Sequence, residues 1–158
     1  MRKYFFTVAV ALLLAASATA QSRMVLNTPI YDDNADAKKE IKEALVKAKT
    51  EHKRLLLVFG ANWCYDCHVL DYRFHQEEIQ PTVEKSFIVI HVDIGQGEKN
   101  VDLANKYSVP LNKGVPAIAV VDKSGALLFS QQRGEFEKAR SLPVRDILAF
   151  LQQWAPTS

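Results

Sequence analysis

The placement of the two cysteines constrains this chain more than any other feature. Both fall in Cys64-Tyr65-Asp66-Cys67, shortly after the continuous apolar run Leu55-Leu56-Leu57-Val58-Phe59, which Gly60 closes. An unbroken run of that length predicts a strand buried on both faces, at the centre of a sheet. A disulfide between residues one helical turn apart closes too short a loop to restrain the unfolded chain much, whereas a structural staple gains by closing a long one. The pair therefore predicts redox chemistry.

The N-terminus supplies the compartment in which such a pair would work. Arg2 and Lys3 precede an apolar run from Tyr4 to Ala16 that ends in Ala18-Thr19-Ala20. This pattern predicts a secretory signal peptide over residues 1–20, followed by a lead-in over 21–33 and one domain over 34–158. The apolar run is shorter than the roughly 20 residues of a membrane span, and Gln21 offers no thiol for a lipid anchor. The expected location is periplasmic or secreted, where disulfides persist, with no stable membrane association after cleavage. Loss of Arg2 and Lys3 takes the formal charge from +2 to zero. Basic residues then alternate with acids, as in Lys38-Lys39-Glu40, which marks a solvated helix face and gives no reason to expect nucleic acid.

Periodicity orders the rest. Residues 21–33 show no sustained period and read as irregular, with room for a short strand. Ile41, Ala44, Leu45 and Ala48 share a face of a helix capped by Asn34 and running to about Glu51. A second helix starts at Cys64, carries Leu70 and Phe74, and ends near Pro81. Phe87 to Val92 predicts a second buried strand, and Asn100 caps a short helix with Leu103, Ala104 and Tyr107. Ala117 to Val121, a turn at Asp122-Lys123-Ser124-Gly125, and Ala126 to Phe129 predict a hairpin. Pro143 suits the first turn of a closing helix whose Ile147, Leu148, Leu151 and Trp154 face inward. The expected order is α-β-α-β-α-β-β-α, an α/β sheet with a terminal hairpin.

A helix starting at Cys64 points unpaired backbone N–H groups at that sulfur, and they favour the thiolate. Cys64 is the candidate nucleophile, and Cys67, one turn deeper, the resolving thiol. The segment from Phe59 through Cys67 resembles the active-site segment of the thioredoxin superfamily, and the likeness extends from about Ala37 to Trp154. It implies a thioredoxin-like fold, with a central mixed sheet and a C-terminal β-hairpin flanked by helices. It also implies a thiol-disulfide oxidoreductase that uses no cofactor beyond the Cys64–Cys67 disulfide. In Gly114-Val115-Pro116-Ala117 it implies a cis bond before Pro116 and a Val115 backbone that pairs with the substrate chain; Pro110 competes for that position, though no strand follows it directly. Trp63 would cover one side of the disulfide or simply close the sheet end, and Tyr65 would contact substrate or be an incidental surface aromatic. Partners would be proteins with cysteines or disulfides, plus a redox protein that recycles the site.

The chain also departs from thioredoxin. Tyr65-Asp66 replaces Gly-Pro, the buried proton-relay aspartate falls on Val58 and its lysine neighbour on Val89, and the stretch from Tyr107 to Pro116 is longer. These departures resemble exported thioredoxin-like proteins. Asp66 is either a simple first-turn acid or a charge opposing the Cys64 thiolate. In the second case one pKa unit, about 1.4 kcal/mol or about 30 mV, would favour a reductant or isomerase over a strong oxidant. His68 reads as a solvated helix residue whose partial charge offsets Asp66.

Cys64-Tyr65-Asp66-Cys67-His68 is also formally a haem-attachment motif. The only methionine after the leader is Met24, which leaves His52, His75 or His91 as the second axial ligand. A Cys₂His₂ zinc site fits the spacing of His68 and His75 poorly, so no metal is expected. A binding module without catalysis is the remaining alternative, and the intact C-x-x-C argues against it.

Overall fold

The computed structural model describes residues 28–157. The expected signal peptide and most of the lead-in lie outside the described residues. Helix α1 spans Ala37–Glu51 and turns Ala37, Ile41, Ala44 and Ala48 inward. Its cap is Asp36, whose side chain accepts from Lys39 N at 3.1 Å. Asn34, the predicted cap, instead donates its N–H to Asp32 Oδ1 at 2.9 Å in the preceding turn. An Asx turn and a helix cap compete for the same kind of side chain, and position relative to the first helical residue decides between them.

Strand β1 covers Arg54–Gly60, helix α2 Tyr65–Phe74, helix α3 Gln80–Ser86 and strand β2 Phe87–Asp93. Helix α4 covers Val101–Lys106, strand β3 Ala117–Val121, strand β4 Leu127–Ser130 and helix α5 Val144–Gln153. Short 3₁₀ turns lie at Leu111–Lys113 and Ala139–Ser141. The extra helix corrects the predicted order: α2 stops at Phe74, and Pro81 lies in the first turn of α3 rather than ending α2. Proline lacks the N–H that a first turn leaves unpaired anyway, so it opens a helix as readily as it ends one.

The sheet order is β2-β1-β3-β4, with β1 parallel to β2 and antiparallel to β3. The inner strands β1 and β3 are buried almost throughout. β2 lies at the edge of this sheet and is half-buried from Ile88 to His91, which corrects the expectation of a second fully buried strand. Alternate residues of β1 serve two cores. Leu55, Leu57 and Phe59 pack with α1 and α4, and Leu56 and Val58 pack with Leu70, Phe74, Ile147 and Leu151 of α2 and α5. Asn100 stands at the start of α4 with φ 52°, and its side chain donates to Asp93 O at 2.8 Å rather than capping the helix. Among the described residues no helix is long and apolar enough to cross a membrane.

Candidate active site

The chain leaves β1 at Gly60, turns through Ala61, Asn62 and Trp63, and enters α2 with Cys64 as its N-cap residue. Cys64 and Cys67 are joined in a disulfide with their Cα atoms 5.3 Å apart. Cys64 Sγ accepts from Cys67 N at 3.1 Å, so a helix N-terminal N–H points at the sulfur expected to carry charge. Both sulfurs are largely covered: Cys64 is 5 % exposed and Cys67 1 %.

The loop before β3 closes over this pair. The Val115–Pro116 bond is cis, and Val115 O lies 3.5 Å from Cys64 Sγ. Gln131, fully buried just after β4, fastens the loop to the strand: its Oε1 accepts from Ile118 N at 3.2 Å and its Nε2 donates to Pro116 O at 3.4 Å. Nothing in the local sequence around Gln131 marks this role, because its partners lie across the hairpin.

The other expected site residues divide. Trp63 is exposed, with Nε1 donating to Gly95 O at 2.7 Å in the loop after β2. Tyr65 is exposed too, and the Arg140 guanidinium lies over its ring, 5.3 Å from the centroid. Asp66 is buried and paired: its Oδ1 accepts from Arg140 N at 2.8 Å and its Oδ2 lies 2.9 Å from Arg140 Nη2. An adjacent cation counters the field of the carboxylate at the sulfur, which weakens the reading of Asp66 as a charge opposing the Cys64 thiolate and leaves that of a first-turn acid. His68 departs further from expectation. Instead of facing solvent it is 3 % exposed, with Nε2 2.9 Å from Asn62 O. A carbonyl only accepts, so Nε2 carries the hydrogen, and Nδ1 has no partner among the described residues. An enclosed imidazole committed in this way does not fit haem ligation. Among the described residues no group of three or more His, Cys, Asp and Glu side chains is arranged to hold a metal.

The lead-in, to which the sequence assigned no function, reaches the site. Asn62 Oδ1 accepts from Ile30 N and Tyr31 N, each at 3.0 Å, and Asn62 Nδ2 donates to Tyr31 O at 2.8 Å. These bonds seat Tyr31 in one buried cluster with Cys64 and Cys67. Burial pushes the Tyr31 phenol well above its ordinary range, and the Asp71 and Asp93 carboxylates push it the same way. The ring of His91 meets the ring of Tyr31 edge-on, 5.2 Å between centroids. His91 Nε2 lies 3.1 Å from Asp71 Oδ1 without the alignment of a hydrogen bond.

Comparison with known proteins agrees with this geometry. A family model described as thioredoxin-like matches residues 36–123. The crystal structure of a disulphide isomerase from Xylella fastidiosa Temecula1 is similar with TM-score 0.76 and 35 % identity, over 80 % of this chain and 97 % of that one. The oxidised C-terminal domain of DsbD from Neisseria meningitidis shares the fold, with TM-score 0.54 and 20 % identity over 76 % of this chain and 97 % of that one. Anterior gradient protein 2 of Xenopus tropicalis is 30 % identical over 120 residues, 72 % of this chain and 69 % of that protein. A C-x-x-C disulfide at a helix N-terminus, on a fold shared with a disulphide isomerase, makes this protein a thiol-disulfide oxidoreductase. The chain belongs to the thioredoxin-like family.

Proposed function

We propose that the protein exchanges the Cys64–Cys67 disulfide with cysteines of other proteins, in the periplasm or outside the cell, and that it works as an isomerase or reductant. The observation that carries this reading is the disulfide at the start of α2 with the Val115 backbone beside Cys64 Sγ. A substrate chain running along Val115 presents its own sulfur to Cys64. Exposed Trp63 and Tyr65 flank Cys64 in the chain and give such a substrate apolar surface to rest on.

In the reducing direction the Cys64 thiolate attacks a substrate disulfide, and the distal substrate sulfur leaves with the bonding pair. Cys67 then loses its proton and attacks Cys64 Sγ, and the second substrate thiolate departs and takes up a proton from water. Two electrons pass from the cysteine pair to the substrate. In isomerisation the departing thiolate attacks another disulfide of the same substrate before Cys67 intervenes. The 35 % identity to a disulphide isomerase supports these directions over oxidation.

Reduction of insulin, rescue of a scrambled multi-disulfide protein and the equilibrium potential against glutathione test the reading together. We expect rescue and a potential more reducing than that of a strong protein oxidant. Failure in both assays, with a strongly oxidising potential, would overturn it. Cys67→Ser is expected to accumulate covalent complexes on a non-reducing gel, because attack survives and resolution does not, while Cys64→Ser accumulates none. The reverse pattern would exchange the two roles.

A further inference from the structure

Tyr31 is a buried polar group that the exchange reaction described above does not use. It comes from the irregular lead-in, is 2 % exposed, and its hydroxyl has no hydrogen-bond partner among the described residues. Buried hydroxyls are rarely left so, because the desolvation they suffer is not repaid. Its backbone is held on both sides by Asn62, in the turn that delivers Cys64. The hydroxyl is also aimed at the site. A Cβ on Gly60 would stand 2.6 Å from Cys67 Sγ and would overlap Tyr31 Oη, so both atoms border the space the glycine leaves open, within about 5 Å of each other.

Tyr31 also packs one strand away from the position where the resemblance to thioredoxin leads one to look for an acid. Val58 occupies that position and pairs in register with His91. The ring of Tyr31 packs on His91. A polar group from a different stretch of chain thus packs on the strand residue paired with Val58.

We propose that Tyr31 Oη donates a hydrogen bond to Cys67 Sγ whenever that sulfur carries charge, which makes Tyr31 a catalytic residue of the step that opens or closes the Cys64–Cys67 bond. A disulfide sulfur is a weak acceptor and a thiolate a strong one, so the hydroxyl lacks a partner in the oxidised protein and gains one on reduction. When a substrate thiolate attacks Cys64 Sγ, the disulfide bond breaks and its electron pair goes to Cys67 Sγ, where the hydroxyl meets the new anion. In the reverse step the same bond steadies the Cys67 thiolate before it attacks Cys64 Sγ and expels the substrate thiolate. Tyr31 loses no proton in either direction, and the two electrons come from or go to the substrate sulfurs.

The charged and titratable groups around the pair are Cys64, His68 and Asp66 on the active-site segment, the last paired with Arg140, Asp71 further along α2, and His91 and Asp93 on β2, with Lys99 2.9 Å from Asp93. Burial and the Asp71 and Asp93 carboxylates hold the phenol protonated, so it remains a donor throughout the range in which the cysteines titrate.

The proposal rests on Cys67 as the resolving sulfur, and its test reads that sulfur directly. In full-length Cys64→Ser protein the Cys67 thiolate is titrated by its ultraviolet absorbance, with Tyr31 and with Tyr31→Phe. We expect the Phe variant to raise the Cys67 pKa by about one unit, a tenfold loss of thiolate at a given pH below it. Cys64, titrated in Cys67→Ser protein, should not move. An unchanged Cys67 titration, or an equal shift of both cysteines, would overturn the proposal. A second measurement uses the native cysteine pair: Tyr31→Phe should leave the oxidised protein at least as thermostable as wild type and lower the stability of the reduced protein at a pH where Cys67 is ionised. Loss of stability in both states alike would mark Tyr31 as a packing residue only. If Cys67 responds as expected while insulin and scrambled substrates are untouched, the proposed direction of exchange falls and this role for Tyr31 stands.

Discussion

Asp66 lies in the first turn of α2, where a carboxylate suits the helix N-terminus, and Arg140 reaches it from 74 residues away. Arg140→Ala should leave that buried carboxylate short of its cation. Because the Arg140 side chain is 59 % exposed, solvent already screens the pair, and the expected loss of stability is on the order of 1–2 kcal/mol. Restoring the field of Asp66 at the sulfur should also raise the pH at which Cys64 alkylates. A profile unchanged from wild type would mean that Asp66 does not act on Cys64 at all. Tyr31 makes a separate contribution at alkaline pH. Its phenol is raised from the ordinary 10.0 in the folded state, so above about that pH the unfolded chain releases the proton more readily and stability falls as pH rises. One such group steepens the decline by up to about 1.4 kcal/mol per pH unit. In the oxidised protein Tyr31→Phe should remove that part of the slope and leave the curve below it parallel to wild type, as equilibrium unfolding across the alkaline range would show.

Among the elements, β1 matters most to the site because it packs into both cores and ends where the active-site turn begins. Leu56 is fully buried against the α2 and α5 side. Leu56→Ala should cost about 2–5 kcal/mol by denaturant unfolding, and a value near zero would show that the second core closes over the void. The β3–β4 hairpin does a different job: Gln131 ties Ile118 N and Pro116 O into one hydrogen-bonded unit. Gln131→Ala should slow exchange with protein substrates more than alkylation of Cys64 by a small reagent, since only the former needs the Val115 backbone in place. Equal slowing of both would place Gln131 in general stability instead. The helix starts show where local reading worked and where it slipped. Ile41, Ala44 and Ala48 announced α1, yet its cap moved from Asn34 to Asp36 because either side chain suits the position. Pro81 opened a helix instead of closing one because proline is compatible with both.

For the molecule as a whole, the C-x-x-C-H run allowed covalent haem as well as thiol exchange; the buried strand before it already favoured exchange, and the fold adds the surroundings of His68. His68 is enclosed and hydrogen-bonded to Asn62 O. Protein matured where haem-attachment machinery is active should therefore be colourless, and a Soret band that survives denaturation would contradict the structure. Features that depend on neighbours within a few turns of chain were legible without the fold. An unbroken apolar run makes β1 an inner strand, helical spacing makes α1 and α5, turn chemistry makes the β3–β4 hairpin, and two cysteines three apart at a helix start make a redox pair. Tertiary structure alone decided which groups face those sulfurs. Tyr31 Oη and Cys67 Sγ border the same gap at Gly60, Arg140 offsets Asp66, and Gln131 braces the Pro116 loop. Each of these contacts joins residues from separate elements, and a side chain carries no local sign of a partner that only packing brings within reach. Burial then turns a proximity without weight in the unfolded chain into an interaction strong enough to set a charge.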